Sequence, residues 1–147
     1  MKSFLLFSFS LFLLLSGCSA VTVDPVDSNL EITHVCIKDC PEKCFDRRML
    51  YLIQDGFQRH GITTEVLNCE LPSECEYSLT YSCERAWGMA TYLGHAEIQL
   101  YHGKSQIGNA TYHLKGKAGF AFTDWENTKS KIDPVIDELL NGVQSGD

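Results

Sequence analysis

Along the chain, the rhythm of apolar and polar positions changes several times, and each change marks an element. Ile32 to Ile37 is rich in β-branched residues and predicts a strand. Phe45, Met49, Leu52, Ile53, Gly56 and Phe57 then recur at helical spacing, with Arg47, Arg48, Gln54, Asp55 and Gln58 on the other side. Pro41 suits the first position of that helix, Glu42 its first turn and Gly61 its left-handed stop. Ile62 to Leu67 reads as a second strand, so the unit runs strand, helix, strand and allows parallel pairing.

Strict alternation follows. Tyr77, Leu79, Tyr81 and Cys83 alternate with Ser78, Thr80, Ser82 and Glu84. Gly94, Ala96, Ile98 and Leu100 alternate with His95, Glu97, Gln99 and Tyr101, and Gly108, Ala110, Tyr112 and Leu114 with Asn109, Thr111 and His113. A turn around Gly103 joins the last two strands as a hairpin. A final helix carries Ile132, Val135, Ile136, Leu139 and Leu140 on one face and stops at Gly142; Pro134 predicts a restart at Asp133 or a kink. The expected fold is α+β (α/β), a two-layer sandwich in the order β-α-β-β-β-β-α. A mostly antiparallel sheet of about five strands carries two helices on one face.

The beginning of the chain follows neither rhythm. Lys2 precedes an apolar run from Phe4 to Leu15, broken only by Ser8 and Ser10. That run suits the core of a signal peptide and falls short of the ~20 residues of a membrane span. It ends in Leu15-Ser16-Gly17-Cys18, the pattern of a bacterial lipobox. The pattern implies cleavage before Cys18, a diacylglycerol on its sulfur and acylation of the new amino terminus. Several acyl chains hold a protein on a bilayer stably. Ser19, where aspartate would signal inner-membrane retention, suggests the outer membrane, facing the periplasm. Ala20 to Leu30 contains turn formers and no sustained periodicity, and reads as a tether. The expected division is a signal peptide over 1–17, a lipidated N-terminus and tether over 18–30, and a single α/β domain over 31–143.

Composition narrows the partners. In 147 residues there are 12 basic and 19 acidic side chains, a formal charge of −7. Loss of residues 1–17 removes Lys2, so 12 basic residues become 11 against 19 acidic ones, a formal −8. With no basic run, nucleic acid is a poor partner. An acidic body should hang off an anionic lipid surface, not lie on it.

Seven cysteines in so short a chain point to an oxidising compartment. With Cys18 committed to lipid, Cys36, Cys40, Cys44, Cys69, Cys75 and Cys83 can form three disulfides in fifteen ways. Cys69 and Cys75, around Glu-Leu-Pro-Ser-Glu, suit one short clip. Zinc knuckles would show paired C-x2-C, and a thioredoxin-like site needs C-x-x-C where Cys40 and Cys44 have three residues between them.

Several pieces carry a resemblance: Leu79-Thr80-Tyr81, Trp87, Tyr92-Leu93, Ala96-Glu97-Ile98, Leu100-Tyr101, Gly108-Asn109-Ala110, Tyr112-His113-Leu114, Trp125 and Lys129 to Leu139. With the lipobox they cover roughly half of the chain. The chain resembles the Sbal-like family of small Gram-negative lipoproteins of unknown function. The order of elements also resembles envelope lipoprotein domains of the curli-secretion and Tol-associated type, as an analogy of fold. The resemblance implies location and fold, and no catalytic residue comes with it.

Candidate chemistry is sparse. If Gln99 pairs with Asn109, His95 faces His113 and Glu97 faces Thr111, and His95, Glu97 and His113 could ligate a transition metal. Trp87, Trp125, Phe120, Phe122 and Tyr101 could line a pocket or fill the core. Lys115 to Phe122 lacks the ending of a phosphate loop and reads as a connection. Asp124, Glu126, Asp133, Asp137 and Glu138 read as a solvated helix side, and no nucleophile arrangement is present. The expectation is a non-catalytic interaction or assembly factor. It is held to the membrane by its N-terminal lipid and works with an envelope protein partner, with no cofactor beyond the lipid on Cys18. Alternatives are a periplasmic module binding a metal or small ligand, and a thiol-disulfide redox protein using Cys40 and Cys44.

Overall fold

The computed structural model describes residues 19–87, 91–114 and 125–143. Its elements are β1 (Ser19–Asp24), β2 (His34–Lys38), α1 (Arg48–Arg59), β3 (Thr63–Leu67), β4 (Tyr77–Trp87), β5 (Thr91–His102), β6 (Ser105–Leu114) and α2 (Trp125–Leu139). The strands form one six-stranded sheet in the order β1-β6-β5-β4-β2-β3. β2 runs parallel to both β3 and β4, and the other pairings are antiparallel. The sheet is therefore mixed, with one strand more than the alternation predicts.

The added strand lies in the segment expected to be a tether. Val21 and Val23 alternate with Thr22, and β1 pairs with β6 from Ser19↔Leu114 to Asp24↔Asn109. Val26 is buried beyond the strand, and its N–H donates to the Leu139 carbonyl at 2.9 Å. A Cβ on Gly108 would lie 2.8 Å from Val26 Cγ2 and 3.0 Å from Leu139 Cδ1, so the bare glycine lets that packing close over β6. Turn formers from Asp24 to Asn29 hide these contacts from a reading by local pattern alone.

Helix α1 also starts later than Pro41 suggests. Pro41 to Lys43 form a turn, with the Lys43 N–H donating to the Cys40 carbonyl at 2.8 Å. Asp46 then starts the helix: its Oδ1 accepts the Arg48 N–H at 3.0 Å, satisfying a donor that has no helical partner. The stop is as expected, at Gly61 with φ 73°. Twelve residues are marginal as an isolated helix, so packing decides that α1 forms. Met49, Leu52, Ile53 and Phe57 are each almost fully buried, a gain of roughly 1.5–3 kcal/mol per side chain.

These residues join Val35, Ile37, Leu79, Tyr81, Ile98, Leu100, Ala110 and Tyr112 from alternate strand positions, and Ile132, Val135, Ile136 and Leu139 from α2, in one core. Both helices thus cover the same face of the sheet. α2 passes through Pro134 as one helix, with the proline on its exposed side. The helices meet where Gly56 faces Ile136, with room for no side chain.

The connection from β3 to β4 takes the opposite face. Nine residues, 68–76, carry the chain past β2 with no helix, where a parallel crossover usually needs a dozen or more. Cys36 alternates with the core residues Val35 and Ile37, and it is bonded to Cys75 of this connection. Direction across the sheet and face both reverse relative to the β2-α1-β3 crossover, so the two crossovers share one hand.

Candidate functional site

The face of the sheet without helices is built from the polar half of the alternation: Thr80 and Ser82 on β4, Glu97, Gln99 and Tyr101 on β5, and Asn109 and Thr111 on β6. The register pairs Gln99 with Asn109, His95 with His113 and Glu97 with Thr111, as the hairpin alignment predicts.

Three disulfides gather around β2, its exit loop and β4, with Cys44 and Cys83 in the core beneath the helices. Cys36 pairs with Cys75, Cys40 with Cys69 and Cys44 with Cys83, at Cα separations of 6.1, 5.0 and 4.4 Å. The expected clip between Cys69 and Cys75 does not form, because both are spent holding the nine-residue crossover to the β2 strand and its exit. Cys40 and Cys44 go to different partners, which removes the paired dithiol that a redox role for them would need. Two bridges hold residues 40–44 rigidly, and the Lys43 carbonyl accepts the Cys83 N–H at 3.0 Å.

Beneath that loop Asp39 is buried, and it is paired on each side. Arg47 reaches its two oxygens at 2.9 and 2.8 Å, and the Tyr81 hydroxyl donates to Oδ1 at 2.6 Å. Burial, then the hydrogen bond to Asp39, pushes the Tyr81 phenol well above its ordinary pKa, and the same aspartate raises that of Arg47. A buried carboxylate is tolerable only when paired in this way. Nothing in the sequence pattern pointed to Asp39, whose partners lie eight and forty-two positions away.

Between the loop and β4–β5 lies a cavity of about 220 Å³ lined by Lys38, Cys40, Lys43, Thr80, Tyr81, Ser82, Glu97 and Gln99. Its floor is an ordered hydrogen-bond chain. The hydroxyls of Tyr101 and Thr80 donate to Gln99 Oε1 at 2.9 and 3.3 Å, and Gln99 Nε2 donates to Glu97 Oε1 at 2.8 Å. A second, wider depression sits at the opposite end of the connection, among Glu31, His34, Glu65, Glu74 and Glu76.

The expected metal ligands come together only in part. The His95 and His113 rings lie edge to face, 5.7 Å between centroids, while Glu97 is engaged by Gln99. Among the described residues, the groups of three whose ligand atoms lie within 4.8 Å are His34–Cys36–Glu65 and Cys40–Glu42–Cys69. In both, the sulfurs are already bound in disulfides and offer no thiolate. Tyr101 lies on the polar face, half-buried. Cys18, Phe120, Phe122, Asp124, the Lys115 to Phe122 connection and the side chains of Trp87, Trp125 and Glu126 lie outside the described residues.

Two of the acidic residues read as a solvated helix side, Asp133 and Asp137, bridge the helices. Lys129 contacts Asp55 at 2.9 Å and Asp133 at 2.8 Å, and Arg59 reaches Asp55, Asp133 and Asp137. Lys129 holds Asp55 below the usual carboxylate range, and its own pKa is raised by Asp133 and then Asp55.

No family model matches the chain, and no curated protein matches it. Among solved structures, it is similar to the PelC dodecamer from Paraburkholderia phytofirmans. The identity is 10%, the TM-score 0.53, and the alignment covers 88% of this chain and 99% of that one. A point variant of that dodecamer in another crystal form gives 11% identity and a TM-score of 0.51 over the same shares. At such identity the likeness is one of fold.

Proposed function

We propose that this chain is a lipid-anchored protein of the bacterial cell envelope, on the periplasmic side of the outer membrane, acting as a non-catalytic interaction or assembly factor. The observation that carries this reading is the use of the cysteines. Six pair among themselves in three disulfides, which suits an oxidising compartment, and the seventh is Cys18 of the lipobox. β1 begins at Ser19, the next residue, so the domain is joined to its anchor almost without a spacer. Its fold is that of a chain that forms dodecamers, and the edges of the sheet, β1 and β3, are free to meet a partner among the described residues. We extend self-assembly to this chain on those two grounds.

The test is the intact mass of the protein extracted from envelopes in mild detergent, with thiols alkylated before and after reduction, followed by its native mass. Acyl mass on Cys18, six thiols alkylated only after reduction, and a native mass above that of one chain are expected. A chain without acyl mass sinks the anchor, and a detergent-extracted monomer sinks self-assembly.

A further inference from the structure

The cavity on the polar face has properties that neither packing nor membrane attachment requires. The chain is acidic overall, and Arg47, Arg48, Arg59 and Lys129 each hold at least one carboxylate. Lys38 and Lys43, like Lys104 and Lys131, pair with no carboxylate among the described residues, and these two both line this one cavity. Two cationic side chains that line one cavity favour an anion between them. The hydroxyl of Ser82, directly opposite Glu97 in the β4–β5 register, has no partner among the described residues either. The amide of Gln99, by contrast, is held by three hydrogen bonds: two hydroxyls donate to its oxygen, and one of its two N–H groups donates to Glu97. The cavity is thus cationic where β2 and the loop line it, and along β4 and β5 it presents a spare hydroxyl beside a carboxylate held by the Gln99 amide.

We propose that this cavity binds a small hydroxylated organic anion, of the class of sugar acids and sugar phosphates. Lys38 and Lys43 take the carboxylate or phosphate, and Ser82 and Glu97 hydrogen-bond the ligand's hydroxyls. About 220 Å³ suits a single monosaccharide-sized ligand and is below the range of drug-sized pockets. The walls are preorganised. The loop that carries Lys43 is tied by Cys40–Cys69 and Cys44–Cys83, and Lys38 sits in register with Thr80, so little ordering cost remains for binding. The two lysine side chains hold no partner among the described residues, so replacing them leaves the described contacts intact. The inference stands apart from the lipid anchor and from self-assembly.

Calorimetric titration of the full, detergent-extracted, disulfide-intact chain with glucuronate, glucose 6-phosphate and glucose tests it. Saturable one-to-one binding of at least one of the two anions is expected, with no binding of glucose. Which anion binds separates the carboxylate from the phosphate class. The double variant Lys38→Met with Lys43→Met, shown to be folded by its lack of free thiols, should bind at least about tenfold more weakly. Ser82→Ala should weaken binding less. The proposal is overturned if neither anion saturates by about 10 mM, far beyond the affinity two charge-assisted contacts supply. It is equally overturned if glucose binds as well as the anions, or if the double variant binds them unchanged.

Discussion

All three disulfides fall between Cys36 and Cys83, and within the described residues the strands β5, β6 and β1 carry none. The two regions share one sheet and one core, yet they solve different problems. β2 and β3 are five residues each, run parallel, and depend on a nine-residue crossover without a helix. β4, β5 and β6 are ten to twelve residues long and pair antiparallel over most of their length. Long antiparallel ladders close short loops and satisfy their own backbone. A short parallel pair must hold distant segments together with little ladder to do it. Cross-links therefore gather where the topology is entropically costly.

Breaking that asymmetry gives the largest expected effect. Cys36→Ser with Cys75→Ser opens a covalent loop spanning 39 positions, which should cost about 4 kcal/mol in the chain-entropy account. Removing Cys40–Cys69, with a separation of 29, should cost slightly less. Urea midpoints measure the loss, and hydrogen exchange locates it: amides of β2 and β3 should lose protection before those of β5 and β6. Equal loss in both regions would contradict the comparison.

Next comes the buried polar knot where the stapled region meets β4. Tyr81→Phe removes a hydrogen bond to a charged, buried carboxylate and should cost about 1.5–3 kcal/mol near neutral pH. Its pH dependence follows from the raised phenol pKa. Above about pH 10 the unfolded chain releases the Tyr81 proton while the folded chain keeps it. The stability this tyrosine supplies is therefore full below that pH and falls as pH rises further. The gap between wild type and Tyr81→Phe should narrow on the alkaline side, and a gap constant to pH 11 would show that neither burial nor Asp39 raises the phenol's pKa.

A smaller effect, and one of unexpected sign, belongs to the seam between the helices. Alanine ordinarily improves a helix interior over glycine. At Gly56 a Cβ would lie 2.6 Å from Ile136 Cγ2, so Gly56→Ala should instead destabilise, by about 1–3 kcal/mol. Ile136→Leu, which removes the Cγ2 branch, in the same chain should recover part of that loss, and a strictly additive double variant would show that the two residues do not compete for space.

Much of the fold was legible because it is written in local pattern. The registers Gln99↔Asn109 and His95↔His113 and the Gly61 stop follow from alternation and turn chemistry. What escaped is non-local. Ser19–Asp24 becomes a strand because β6 offers it an edge, and Val26 and Leu139 close over Gly108. The α1 start moves from Pro41 to Arg48 because Cys40 and Cys44 are pulled to opposite partners. The cavity was legible only as a polar strand face. Its lysines come from β2 and the stapled loop, and no spacing in the sequence places them over Ser82 and Glu97.

The weakest expected effect sits on the helices' solvent side, where the ion network tests whether charge adds to what packing already holds. Lys129→Met removes contacts to Asp55 and Asp133, both at least a fifth exposed, so the change in urea midpoint should be smaller than for Gly56→Ala. Its pH profile distinguishes an electrostatic role from lost packing. Asp55 is held below its ordinary pKa, so its contribution is present above the usual carboxylate range and lost as pH falls through it. Lys129 is raised, so its contribution is present below the ordinary lysine pKa and lost as pH rises past it. Wild type and variant should therefore differ most between about pH 5 and 9 and converge at both extremes. Adding salt should shrink the difference within that window. A difference independent of pH and salt would mean that the Lys129 stem matters more than its charge.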